Sequence, residues 1–289
     1  MSIGWQILVN GLIAGSLYAL IAMGFNLIYG VQRSFHLGHG VTALVAGYIL
    51  LFLFSVTGLS LWFAIVIALV GAALVGLLME RIVFWPIRRR NGPPLIMVVA
   101  SLGLVFLGQA IITVLFSSEY QAYPQALWDG IFEIGSVIVT KTQVLALLAA
   151  ILVFLVIKLF LSRTSYGKAI RAVSDDAQVA ALVGIQTERV IMVVFLIASL
   201  CAGLAGILTG FDTGLQPTIA LSLLLKGAVA GVIGGLGTLE GAFLGAFLLG
   251  LVENLGIWWV PSEWKDAIAF GLLIVFLLFR RTGLMRRAT

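Results

Sequence analysis

Apolar residues come in long blocks parted by short polar ones, a pattern that predicts membrane-crossing helices rather than strands or the half-apolar helices of a soluble domain. The blocks are residues 5–30, 41–55, 61–84, 95–116, 142–161, 190–211, 217–233, 242–257 and 267–279. Trp5 stands where an interfacial anchor belongs, and Gly11 with Gly15 makes a small-residue face for close helix contact. Residues 31–40, VQRSFHLGHG, are polar and hold both histidines. Residues 85–94, WPIRRRNGPP, read as a basic turn whose prolines forbid continuation of either neighbouring helix. Residues 117–141 form a longer loop, with Tyr120, Tyr123 and Trp128 suited to an interface. Lys226 interrupts the seventh block, and GGLGTLEG at 234–241 breaks it from the eighth. The predicted fold is an all-α integral membrane protein, a polytopic bundle of about eight to nine transmembrane segments with broken or half helices. It forms a single transmembrane domain over 1–289. The count is least fixed over 212–241, where one segment is either short and tilted or broken.

The longest polar stretch between two blocks is 171–189, RAVSDDAQVAALVGIQTER. Within it, 174–183 is predicted to be a helix of its own. Asp175 and Asp176 fall in its first turn, where carboxylates favour the positive end of the dipole, and Gly184 supplies the C-cap. At about 1.5 Å per residue this helix is about 15 Å long, too short to span. Val179, Leu182 and Val183 lie at i, i+3 and i+4, so it is amphipathic. Two readings follow: a surface helix that passes motion to a soluble partner, or a helix resting on lipid headgroups or under the bundle.

Composition agrees with the pattern. The chain has 289 residues, 62% hydrophobic and only 10% charged, which excludes an ordinary soluble domain. The net charge of +5 lies near the ends of the apolar blocks and no basic patch is interleaved with aromatics, so no nucleic-acid partner is expected. With the N-terminus outside and nine crossings, thirteen of the 17 Lys and Arg fall in cytoplasmic segments, against two, Lys141 and Lys265, outside. Inversion would reverse that bias, so the reading is N-out and C-in, with the 174–183 helix in the cytoplasm. The first block has no basic residue ahead of it and exceeds a signal-peptide core, so it is expected to be a retained span. Cys201, the single cysteine, reads as a small packing residue.

The chain holds no nucleotide-binding G-x-x-x-x-G-K-[ST], no H-E-x-x-H, no Cys/His cluster and no serine-nucleophile motif. It is therefore not expected to be an enzyme or to bind a metal or cofactor. His36 and His39, three residues apart, are a weak metal pair without a carboxylate, and read alternatively as loop structure, a polar hinge or pathway lining. Lys226 and Glu253 are charges inside apolar blocks; they either pair with one another or Lys226 snorkels, and the choice between structure and pathway stays open. Gly234, Gly235 and Gly237 mark a break that serves either helix packing or a pathway. Glu80 and Glu240 are read as solvated or locally paired at the cytoplasmic border.

Several segments resemble one family over nearly the whole chain and in the same order. They are NGLIAGSLYALIAMGFNLIYG at 10–30, the His39–Gly40 pair, AIRAVSDDAQVAALVGI at 169–185, KGAVAGVIGGLGTLEGAFLGAFLLGLVE at 226–253 and the closing RRTGL. The chain is similar to the membrane permease subunits of branched-chain amino acid ABC importers, specifically the shorter of the two permease types. The resemblance implies a second, related permease subunit as heterodimer partner, two ATP-binding subunits on the cytoplasmic face, and a periplasmic or lipid-anchored substrate-binding protein. ATP and Mg would sit on the partner subunits, and the chain itself would lie in a bacterial-type inner membrane among lipid. Residue by residue, the resemblance makes Ser174, Asp175, Asp176, Ala180, Ala181 and Gly184 the coupling positions that seat in an ATPase subunit. At 34–39 the chain reads SFHLGH where relatives commonly carry Asn-Phe-Ala-His, which bears on the solute more than on the mechanism. The solute implied is a branched-chain or other neutral amino acid. The alternatives are urea or a short amide and, in a different class, a stand-alone secondary carrier or channel.

Overall fold

The computed structural model describes residues 2–123, 130–135, 137–280 and 283–285. Trp128, Arg281, Arg286 and Arg287 lie outside the described residues. Helix α1 (Ser2–Gln32) is the axis of the molecule, and its ends define two faces. At its start, the Gln6 side chain donates to the Ile138 carbonyl at 2.9 Å and accepts from the Ile138 amide at 2.8 Å. Ile138 belongs to an antiparallel hairpin of β1 (Ile131–Ile134) and β2 (Val137–Thr140), with Ile131 opposite Thr140. Beyond its other end, Arg33 donates to the Ser174 carbonyl at 2.7 Å, in the short helices described below. The hairpin corrects the sequence reading of 117–141 as a longer loop. It lies in a stretch where Ile131, Phe132 and Val137 to Thr140 supply β-favouring side chains over too few residues for a helix. Tyr123 is also misplaced by that reading: it is buried, and its hydroxyl donates to the Gly47 carbonyl at 2.9 Å. Burial raises its pKa, so the phenol stays a donor.

Six helices among the described residues are long and apolar enough to cross a membrane: Gly4–Gln32, Leu61–Arg89, Pro94–Phe116, Lys141–Arg163, Thr187–Thr213 and Leu239–Gly256. Two shorter apolar helices, His39–Ser55 and Ile219–Gly234, and α12 (Lys265–Phe279) occupy the other three expected blocks. α1 and α9 (Thr187–Thr213) sit at the centre, each with 67% of its apolar window buried, whereas α6 (Lys141–Arg163) with 17% runs along the rim. The centre is tight because its helices meet through small residues. A Cβ on Gly250 of α11 (Leu239–Gly256) would lie 2.4 Å from the Gly11 carbonyl oxygen and 2.5 Å from the Gly15 nitrogen, so the face expected on α1 is used.

Helix α3 (Leu61–Met79) does not stop before Pro86 as expected. It passes through a π turn, Glu80–Phe84, into α4 (Trp85–Arg89). The Trp85 amide reaches back five residues to the Glu80 carbonyl, and this wider turn accommodates a proline that has no N–H to give. The true turn is confined to 90–93, and Pro94 opens α5 (Pro94–Phe116) at a position where its missing N–H costs nothing.

Helix α2 (His39–Thr57) starts inside the bundle. A Cβ on Gly24 would lie 2.6 Å from the His39 Nε2, and Gly24 stands eight residues before the end of α1, about 12 Å along its axis at about 1.5 Å per residue. The chain after Gln32 therefore turns back into the protein before α2 begins. Helix α10 (Ile219–Gly234) begins at the same place: a Cβ on Gly40 would clash with the Ala220 carbonyl oxygen at 2.2 Å. The first turns of two helices thus meet in the interior; the polar stretch at 31–40 interrupts the membrane region as expected, but its meeting with the start of α10 is not marked in the sequence.

Candidate functional site

At the end away from the hairpin, α7 (Ser165–Asp175) and α8 (Ala177–Leu182) replace the single helix expected at 174–183. Ser174 and Asp175 close α7, and Asp175 therefore stands at a C-terminus, not in a first turn. Asp176 takes an extended backbone and caps α8, its Oδ1 accepting from the amides of Gln178 at 2.8 Å and Val179 at 3.0 Å. An aspartate that can bond the amides ahead of it splits the run, and adjacent Asp175 leaves nothing in the composition to show which of the two will do so. The other end of α8 follows expectation, one residue on. Val183 is the C-cap, and Gly184 at φ 88° completes a Schellman motif, with its amide to Ala181 at 3.0 Å and the Ile185 amide to Ala180 at 3.0 Å.

The two faces of this unit differ. Ser174 and Ala180 are buried, and the Ser174 hydroxyl lies against Gly30. Val179, Leu182 and Val183 point outward, 55%, 87% and 73% exposed, and Ala181 and Gly184 are exposed beside them. An apolar face that turns away from its own protein is a surface to be covered by something else.

Beside it, Glu80 is buried, so of its two readings the locally paired one holds and the solvated one does not. It pairs with Arg88, which also donates to Glu188 of α9 at 2.8 Å, so α4 is bolted to α9. Glu240 does make the local pair expected, with Lys158 at 3.5 Å.

The break after α10 is held from three directions. Gly235 at φ 117° and Gly237 at φ 77° take conformations that side chains rarely adopt. Asn26 of α1 donates to the carbonyls of Gly235 and Thr238, both at 2.9 Å. The amides of Leu284 and Met285 reach the carbonyls of Ile233 at 2.8 Å and Gly234 at 2.9 Å, serving the last turn of α10. Asn26 escaped the sequence reading because one amide in an apolar run carries no visible partner 209 residues away.

His36 and His39 are both buried, with ring centroids 6.2 Å apart. His36 meets Phe84 edge-on at 4.7 Å and Phe195 at 5.2 Å. Among the described residues no group of three His, Cys, Asp or Glu is placed to hold a metal ion.

Lys226 and Glu253 do pair, across 3.0 Å between α10 and α11. Lys226 also lies 3.2 Å from Asp266 of α12 and donates to the Tyr18 hydroxyl at 3.2 Å, while that hydroxyl donates to Glu253 at 2.8 Å. Four helices thus share one charged cluster, in which the Glu253 carboxylate is fully buried and that of Asp266 is exposed. Tyr18 and Asp266 were not singled out in the sequence, since the phenol reads as an ordinary apolar filler and Asp266 as an interfacial charge.

Above this cluster a cavity of about 410 Å³ extends toward the hairpin end. Lys226 and Tyr18 line its floor; Asn10 of α1, Gln143 of α6, Asp212 of α9 and Lys265 of α12 line its upper part. Gln143 is fixed by a reciprocal capping box with Thr140 at the start of α6, and its Nε2 donates to Asp212 at 3.1 Å.

Comparison with known proteins agrees with this architecture. The family described as "Branched-chain amino acid transport system / permease component" matches residues 7–277. The high-affinity branched-chain amino acid transport system permease protein BraD of Pseudomonas aeruginosa is 33% identical over 296 residues, covering 98% of this chain and 95% of that protein. The permease protein LivH of the corresponding Escherichia coli system is 31% identical over the same coverage. A probable branched-chain amino acid transport permease of Methanocaldococcus jannaschii is 26% identical over 192 residues, 64% of this chain and 59% of that protein.

Proposed function

The chain belongs to the branched-chain amino acid transport permease family, and from that membership we propose that it forms half of a transmembrane pathway for a branched-chain or other neutral amino acid, driven by ATP hydrolysis on partner subunits. The observation that carries the coupling part of this reading is α8: a capped, six-residue helix with an apolar face turned outward. A partner surface can cover such a face at one place, whereas lipid headgroups would favour a helix whose polar face carries Lys and Arg, and α8 carries neither. Ser174 and Ala180 would anchor the helix to the bundle, while Asp175, Asp176, Ala181 and Gly184 shape the part that meets an ATPase.

On this reading the partners are a related second permease, two ATP-binding subunits and an external substrate-binding protein, and the chain lies N-out and C-in in a bacterial-type inner membrane. ATP and Mg belong to the partner subunits. The deep loop with His36 and His39, and the break at Gly234, Gly235 and Gly237, are the points where rigid bundles hinge between outward- and inward-open states. The cluster of Lys226 and Glu253 ties α10 to α11 so that they move together.

A stand-alone carrier would need an acidic group free to take up a coupling ion. Glu253 already has Lys226 at 3.0 Å, and Asp212 on the cavity wall accepts from Gln143; the carrier is the weaker reading because the chain's family is one of transport-system permease components. The test is uptake of labelled leucine into proteoliposomes. The chain assembled with its partner subunits should accumulate leucine only when ATP is supplied on the ATPase side, and the chain alone should not. Accumulation by the chain alone, driven by an ion gradient, would overturn the proposal.

A further inference from the structure

The cavity between α1, α6, α9, α10 and α12 has a charge pattern of its own. Lys226 at its floor is already saturated: Glu253 and Asp266 lie within 3.2 Å of its ammonium, which also donates to Tyr18. Two further charged side chains line the wall, Asp212 and Lys265. Both are half-buried, and neither makes an ion pair with a described residue. The Asp212 carboxylate accepts one hydrogen bond, from Gln143, which brings no charge. The cavity therefore presents one uncompensated anion and one uncompensated cation.

The rest of the lining is also incompletely used. Thr209 is 95% buried as a residue, 5% exposed, and its hydroxyl has no hydrogen-bond partner within the protein. Ile13, Leu17 and Leu223 add apolar lining. At about 410 Å³ the space falls within the range of small-molecule sites.

We propose that this cavity, wholly within one permease subunit, is a binding chamber for a neutral zwitterionic amino acid, with the ammonium at Asp212, the carboxylate at Lys265 and an aliphatic side chain against Ile13, Leu17 and Leu223. The proposal rests on the transport reading above and deepens it. That reading requires only that a path exist somewhere in the assembled importer; here the path includes a chamber at the hairpin end of this chain. The pairing of an anion and a cation selects against solutes with one charge, because either group would then be desolvated beside nothing that compensates it.

The chamber can be probed through Ser222, an exposed residue on its lining, in the assembled complex carrying S222C. The native thiol, Cys201, is buried and lies outside the chamber. A membrane-impermeant thiol reagent should label S222C, and leucine should slow that labelling roughly tenfold when present at about ten times its Kd. Isocaproate, which lacks the ammonium, and isopentylamine, which lacks the carboxylate, should each protect at least about tenfold more weakly, the loss of one charge-assisted contact. D212N in the same background should abolish the preference for leucine over isocaproate, and K265Q the preference over isopentylamine. Complexes that transport leucine but whose S222C is not protected, or is protected equally by isocaproate or by anionic lipid, would overturn the chamber while leaving the transport reading intact. Complexes that transport no neutral amino acid at all would instead bring down the reading beneath it.

Discussion

Asp176 and Glu253 are both carboxylates in an apolar chain, yet their physical tasks are opposite. Asp176 is exposed and serves the backbone, so its geometry matters more than its charge. D176N should keep the cap, while D176A should destabilise α8 by about 0.5–2 kcal/mol. Hydrogen exchange at the Gln178 and Val179 amides checks this: exchange should quicken in D176A only, and equal acceleration in both variants would mean that charge dominates. Glu253 has no water to fall back on. K226M would leave it buried opposite only a phenol, a loss of about 3–5 kcal/mol, whereas K226M with E253L should recover most of that loss because an apolar pair fills the same space. Thermal unfolding of the three proteins in detergent gives the comparison, and a double variant no more stable than the single one would deny that the two charges stabilise one another. At this scale the sequence was partly legible. Lys226 and Glu253 stood out because charge in an apolar run is costly, but Tyr18, Asn26 and Asp212 did not. Each draws its meaning from partners on other helices, which spacing along the chain does not encode.

Helices were read well where an apolar block is long and bounded by caps, as α5 is by Pro94 and α6 by Thr140 and Gln143. They were misread where a local rule is overridden. Pro86 predicts a stop, but a π turn absorbs it; two adjacent aspartates predict one helix start, but the second alone caps and the first ends the preceding helix. Glycines divide in the same way. Gly250 has backbone of α1 within 2.5 Å of where a Cβ would stand, while Gly103 of α5 has nothing within 4 Å. G250A should therefore force α1 and α11 apart at a cost of about 1–3 kcal/mol, and G103A should be neutral or stabilising by up to about 1 kcal/mol through helix propensity. The thermal midpoints of the two variants decide it; an unchanged G250A would mean that the central contact can relax.

Across the whole molecule, two ends with different jobs are joined by a rigid centre. At one end lie the hairpin and the polar cavity; at the other lie α7, α8 and the bolt from Glu80 through Arg88 to Glu188. α1 and α9 run between them and pack through glycine and alanine with little room to deform, so on the proposed reading a displacement of α8 would be carried to the cavity. The architecture of apolar blocks, polar breaks and a short helix near 174–184 was legible from sequence, since burial in lipid leaves so strong a compositional trace. The meeting of α2 and α10 in the interior was not, because contact between two first turns depends on how far each loop folds back. The central claim is that α8 engages a separate motor through its exposed apolar face. Leu182 and Val183 are the residues to change, since neither is buried and Asp176 is left to cap the helix. In the reconstituted complex, L182E with V183E should reduce leucine uptake to background while the protein stays folded in the membrane and the ATPase subunits still hydrolyse ATP. Uptake at the unmodified rate, with the same leucine carried per ATP, would contradict the account.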